Sequence, residues 1–261
     1  MREWVLAEVN YGFVKEHHYE VAVLPMGATE PHNLHLPYGT DTFQVDELAA
    51  RAGAAAFQQG APVIVLPTIP YGTDTNLMAF PLTMNLNPST LALVLTDLVK
   101  SLEHHGIRKL VILNGHGGND FKPVLRELYG RTSVYLFLCD WFRGLTSDAQ
   151  AQLFEEPGDH AGEVETSLGL AFFPDLVRHN PQTGLLAADD GEARPSRLNA
   201  INVGWASITR PWHLLTTNTG CGNPHAASAE KGQQLMNVAV TRLAAMLVEI
   251  AAAEIDATFP F

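Results

Sequence analysis

The sequence predicts an α/β fold: a three-layer α/β/α sandwich around a mostly parallel central sheet, in a single domain over residues 1–261. Three observations carry this. Short apolar runs alternate with longer stretches of helical periodicity through the first half of the chain. The strand-like runs are continuously apolar, which suits strands covered on both faces. With 261 residues, 46% of them hydrophobic, the chain can also fill one large core.

The first strand spans Val21 to Leu24. From Asp41 to about Gln59 the pattern is helical, with Val45, Leu48, Ala49, Ala52 and Ala56 on one stripe and Gly60 as the stop. Val63 to Leu66 is the second strand. Residues 67–88 are polar and turn-rich, and a loop that long in a compact domain usually has a function. Asn87-Pro88 opens the next helix, with Pro at its first position. That helix runs to His104-His105-Gly106, where imidazoles suit the negative end of the helix dipole. Lys109 to Leu113 forms the third strand, followed by a helix over Phe121 to Tyr129 and a fourth strand over Val134 to Leu138. An apolar helix after His160 stops near Pro174. Ile201 to Ile208 alternates like a late strand, and a long helix runs from about Ala226 to Ala253.

The formal net charge of −12 excludes nucleic acid as an expected partner, because a phosphate backbone would be repelled. No Lys/Arg cluster marks a membrane surface. Glu3 and Glu8 interrupt any apolar leader, and Glu249 interrupts the most apolar helix. Cys139 and Cys221 lie far apart and outside any C-x-x-C, so they read as free thiols in a reducing compartment. These features predict a soluble cytoplasmic protein acting on a small molecule.

The chemistry concentrates in two loops. Pro25 to Asp41, PMGATEPHNLHLPYGTD, follows the first strand; Asn114 to Asn119, NGHGGN, follows the third. In parallel sheets, ligands lie beyond the carboxyl ends of the strands, so both loops belong to one site. Glu30 and His32 are two apart and can point the same way from an extended segment. Asp41 has two oxygens and can bridge two cations, although alone it would read as a helix cap. His35 has no such relation to Glu30 and reads as an ordinary hydrogen-bonded histidine. His116 sits between glycines that let the backbone turn sharply. A phosphate-cradling loop is the competing reading, but neither G-x-G-x-x-G nor G-K-[ST] is present. With one more carboxylate, Glu163 or Glu165, the set would hold three carboxylates and two imidazoles. That mixture suits Zn, Mn or Fe(II), and the absence of Cys donors argues against a structural zinc. Two divalent ions against three carboxylates leave positive charge to stabilise a bridging hydroxide and a developing oxyanion. Asn114, Gly117 and Gly118, with Tyr71 and Asp74 of the long loop, are expected to touch substrate.

The segments GATEPHNLHLPYGTD, NGHGGN, HAGEVETS and TGCGNPHAASAEKG together closely resemble the creatininase (creatinine amidohydrolase) family, from about Val23 to Gly232. The resemblance implies a creatininase-like fold and a dinuclear metal hydrolase acting on a cyclic amide or formamide, often as a hexamer. Position by position it implies Glu30, His32, Asp41 and His116 as metal ligands, with Asp41 bridging, and His160 as the catalytic histidine. Creatinine-hydrolysing members carry an aromatic residue and then a ligand Glu after the motif histidine. Here those positions are Gly117 and Gly118. The fifth ligand must therefore come from elsewhere, and a creatinine-specific pocket is not expected.

Regular helical spacing would pair Glu163 with His160. The resemblance instead favours Glu165 of the ETS motif as the fifth ligand, which requires the helix to start after His160, where Gly162 weakens its first turn. Glu163 is then expected to act beside His160, as a helper or substrate contact. The expected function is hydrolysis of a C–N bond. A hydrolase opening a cyclic diketone such as a dehydro-inosose is the alternative within the same fold, and a metal-dependent binding protein the non-enzymatic one.

Overall fold

In the computed structural model, which describes residues 1–156 and 158–261, four strands form one sheet in the order β2-β1-β3-β4, all parallel. They are β1 (Val21–Met26), β2 (Val63–Val65), β3 (Lys109–Asn114) and β4 (Tyr135–Asp140). Numbering only helices of seven residues or more, the helices are α1 (Thr40–Gln58), α2 (Pro88–His104), α3 (Lys122–Leu128), α4 (Ser147–Leu153), α5 (Glu163–Phe172) and α6 (Ala229–Ala252).

Strand side chains alternate between two cores, as a pleated strand requires. Val21, Val23, Val63, Val65, Val111 and Leu113 face the stripe of α1 together with Val164 and Leu168 of α5 and Leu235, Leu243 and Leu247 of α6. Ala22, Leu24, Met26, Ile64, Leu110 and Ile112 face Leu91, Leu95 and Val99 of α2 and Val124 and Leu128 of α3. Each fully buried Val or Leu contributes about 1.5–3 kcal/mol, so the sheet is held from both sides. This is the expected three-layer sandwich.

Helix α6 is long and apolar enough, by length and composition alone, to cross a membrane. Its apolar stripe is, however, part of the core just described. It also lies close against α5: a Cβ at Gly232 would collide with the Ser167 carbonyl. One expected element is absent. Residues 199–202 form a helical turn and no strand runs from Ile201 to Ile208. Ile208 is 56% exposed there, so the alternating apolar residues have no sheet to cover.

The strand order places the site. Chain order runs outward from β1 to β2 on one side and through β3 to β4 on the other, so the topology switches between β1 and β3. The crevice beyond the carboxyl ends of those two strands is where such sheets bind ligands. Gly27 follows β1 there and Gly115 follows β3, joined by the Gly115 N–H donating to the Met26 carbonyl at 2.8 Å.

Candidate metal centre

Glu30, His32, Asp41, His116, His160 and Glu165 meet in that crevice. Glu30, His32 and Asp41 are at most 3% exposed, and His116 and His160 at most 8%. They line or adjoin a cavity of about 300 Å³.

The loop after β1 is built to orient His32. Its Nδ1–H donates to the Glu30 carbonyl at 3.0 Å, which leaves Nε2 aimed inward. Nε2 lies 3.3 Å from Asp41 Oδ1 and 3.9 Å from both Glu30 Oε1 and Glu165 Oε1. Asp41 sits in the first turn of α1, where the helix dipole favours a carboxylate. Its second oxygen, Oδ2, is 3.0 Å from His116 Nδ1, which is also 3.2 Å from Glu30 Oε1. The two oxygens of one aspartate thus face two different imidazoles.

The electrostatics are those of crowded, mutually dependent charges. Burial favours neutral His32, yet Asp41, Glu165 and Glu30 outweigh it and raise its pKa to about 10. His116 is likewise pushed towards neutral by burial and then raised well above the usual imidazole range, chiefly by Glu30 and Asp41. Asp41 would be raised by burial, but His32 and His116 hold it below the usual carboxylate range. Burial raises Glu30 and takes Glu165 to about 7. Burial and the neighbouring His32 lower His160. Its Nε2–H donates to the Pro31 carbonyl at 2.9 Å, its Nδ1 faces Glu30 Oε1 at 3.7 Å, and its ring stacks on His32 with centroids 4.2 Å apart.

Three groupings bring possible ligand atoms within 4.8 Å of one another: His32, Asp41 and Glu165; Glu30, Asp74 and His116; Glu30, His32 and His160. The creatininase family model, described as creatinine amidohydrolase, matches residues 7–247. This chain belongs to the creatininase family. It is 36% identical to a Bacteroides fragilis NCTC 9343 protein provisionally named a creatinine amidohydrolase, whose crystal structure superposes with a TM-score of 0.88 over 98% of this chain and 99% of that one. It is 28% identical to the creatinine amidohydrolase of Pseudomonas putida over 86% of this chain and 87% of the relative. It is 32% identical to the mycofactocin precursor peptide peptidase of Mycobacterium tuberculosis H37Rv, over 82% and 78%. The chain is a hydrolase of this family, with His, Asp and Glu groups placed to bind metal.

Several expected contacts of the creatininase-type site are placed differently. Glu163 does not face the cavity. It is fully buried, accepts the N–H groups of Glu155 and Glu156 at 3.0 and 2.9 Å, and pairs with Lys231 of α6. The helix does start after His160, at Glu163 with Gly162 as its cap, and this turns Glu165 towards His32. Asn114 is 1% exposed and spent on the loop itself: Nδ2 donates to the His116 carbonyl and Asp140, and Oδ1 accepts from the His116 N–H and Asn119. Tyr71 is 44% exposed and does not line the cavity. Asp74 is fully buried against His116, not open to a substrate. Gly117 and Gly118 do line the cavity, as expected. His35 hydrogen-bonds Thr166 Oγ1 at 2.8 Å, and burial lowers it to about 4.

Other cavity walls carry no assignment from the sequence. Trp141, Phe142 and Arg143 follow β4, while Arg210 and Trp212 lie just before and at the start of the short helix Trp212–Leu215. The first three were findable, because they occupy the carboxyl end of a strand just as the two ligand loops do.

Proposed function

We propose that this chain is a dinuclear metal-dependent hydrolase that cleaves the C–N bond of a small amide. The observation that carries the reading is Asp41, whose two oxygens face His32 and His116 separately. The donors fit a metal pair. Glu30 Oε2 and His32 Nε2 are buried without any hydrogen-bond partner among the described residues, and a buried polar atom without a partner costs about 1–3 kcal/mol unless something else satisfies it. Glu30, Asp41 and His116 would hold one ion, and His32, Asp41 and Glu165 the other. Oxygen and imidazole donors without thiolate suit Zn, Mn or Fe(II).

When bound, two such ions supply Lewis acidity that ionises water near neutral pH and polarises a carbonyl. The chain's residues supply the rest. His160 donates Nε2–H to Pro31, so its Nδ1 lone pair is free to take a proton from the attacking water and return it to the leaving nitrogen. Burial and His32 keep it neutral and ready for that role. Gly117 and Gly118 put no side chain into the wall beside His116: the Thr73 carbonyl fills the space behind Gly118, and Arg143 donates to the Gly117 carbonyl at 3.2 Å. This supports an amide substrate other than creatinine.

The test is metal analysis followed by a substrate screen of lactams, formamides, short peptides and cyclic diketones. Two ions per chain and hydrolysis of an amide are expected. A metal-free yet fully active chain overturns the reading. Turnover confined to cyclic diketones moves it to C–C cleavage, and metal uptake without any turnover moves it to a binding protein. Creatinine hydrolysis at about 10 per second or more defeats the inference from Gly117 and Gly118.

A further inference from the structure

Asp74 has His116 as its near charge partner. It is fully buried, and neither of its carboxylate oxygens has a conventional hydrogen-bond donor among the described residues. Yet Oδ1 lies 3.0 Å from His116 Nε2. The opposite nitrogen of the same ring, Nδ1, faces Asp41 and Glu30. His116 therefore stands between the metal-facing carboxylates and a second carboxylate behind it. The Thr73 carbonyl is the other acceptor on the Nε2 side, at 3.2 Å.

The segment carrying Asp74 is held in place rather than leaning there by chance. The Thr73 N–H donates to Asn119 Oδ1 at 3.0 Å, and the Asp74 N–H to Asn85 Oδ1 at 2.8 Å. Asn119 is itself bonded to Asn114 at the end of β3. Gly118 makes room for this arrangement, since a Cβ there would collide with both His116 Nε2 and the Thr73 carbonyl. The glycine that removes a side chain from the cavity wall is thus also what admits the Thr73–Asp74 backbone against the ring.

We propose that Asp74 is the positioning carboxylate of His116: it draws the ring proton to Nε2 and so presents the Nδ1 lone pair to a metal ion shared with Glu30 and Asp41. This rests on the metal-centre reading above. Ligand histidines commonly have such a partner on the far nitrogen, and removing it typically weakens metal binding about 10- to 100-fold. Asp74 would act through His116 and need not touch substrate.

The experiment is a calorimetric titration of Zn²⁺ into chelator-stripped protein, for the wild type, Asp74→Asn and Asp74→Ala. Both variants are expected to weaken one of two binding steps by about 10- to 100-fold and to leave the other unchanged. Long-range ¹H–¹⁵N spectra of the Zn-loaded wild type should show His116 protonated at Nε2, with that proton exchanging faster in Asp74→Ala. The near-isosteric Asn variant decides the matter should the Ala variant fold poorly. Two unweakened steps in Asp74→Asn, with an unaltered His116 spectrum, overturn the proposal and leave the Thr73 carbonyl as sufficient. Complete loss of one ion from Asp74→Asn at saturating Zn²⁺ overturns it too, because Asp74 would then be a ligand. A wild type that binds no Zn²⁺ overturns the metal-centre reading itself, which separates that failure from this one.

Discussion

Glu163 and Glu165 lie two residues apart in the first turn of α5, and at about 100° per residue their side chains leave the helix on nearly opposite sides. Glu163 enters a pocket where two backbone N–H groups and the Lys231 ammonium meet its charge. Glu165 enters the crevice, where it accepts one backbone N–H, from Ala161, and otherwise faces His32 and Asp41. The difference is one of supply. A buried carboxylate with enough donors is part of the fold. One gathered with other carboxylates and too few donors is a place for a cation.

Three substitutions separate the two sides by effects of different size. The largest lies at the residue on which the crevice side depends. Asp41→Asn removes the charge facing both imidazoles, and loss of metal-derived stabilisation worth several kcal/mol should cut amide hydrolysis by at least about 10³-fold. Metal analysis of the same preparation should show both ions depleted. Full occupancy with unimpaired rate would mean that Asp41 only complements the dipole in the first turn of α1.

Next is the fold side. Glu163→Gln leaves Lys231 partly buried without its partner, and should lower the unfolding free energy by about 3 kcal/mol, the low end for breaking a buried pair. Denaturant unfolding of the chelated protein measures this. Both ions should still bind, and their loss would mean that the two glutamates have exchanged roles. The smallest effect is expected for Glu165→Gln: one ion lost, a rate reduced by about 10²-fold (near 2.7 kcal/mol), and chelated-state stability close to wild type. Strong destabilisation without metal loss would place Glu165 with Glu163 as a structural residue.

Much of the fold was legible in the sequence because strands buried on both faces must be apolar throughout. Val21–Met26 and Lys109–Asn114 begin at the expected residues and extend slightly further. Glu30, His32, Asp41 and His116 were readable as a group because each lies just beyond such a strand or at the start of the next helix. The fate of other polar residues was not readable, because it depends on partners distant in sequence. Nothing near Glu163 announces Lys231, and nothing near Asp74 announces His116. Tyr71 looked like a pocket residue only because its loop is long. The 201–208 run alternates, but alternation needs a neighbouring strand edge to become a strand.

The close seat of α6 on α5 bears on the order in which the molecule matures. Gly232 lets the α6 backbone reach Ser167, and one residue earlier Lys231 holds Glu163 at the base of the helix that carries Glu165. During synthesis, residues 30 to 165 leave the ribosome well before the helix that begins at Ala229. The crevice therefore has its carboxylates and imidazoles long before it has the strut that holds the last of them in line, and that strut is a helix that puts no side chain into the cavity.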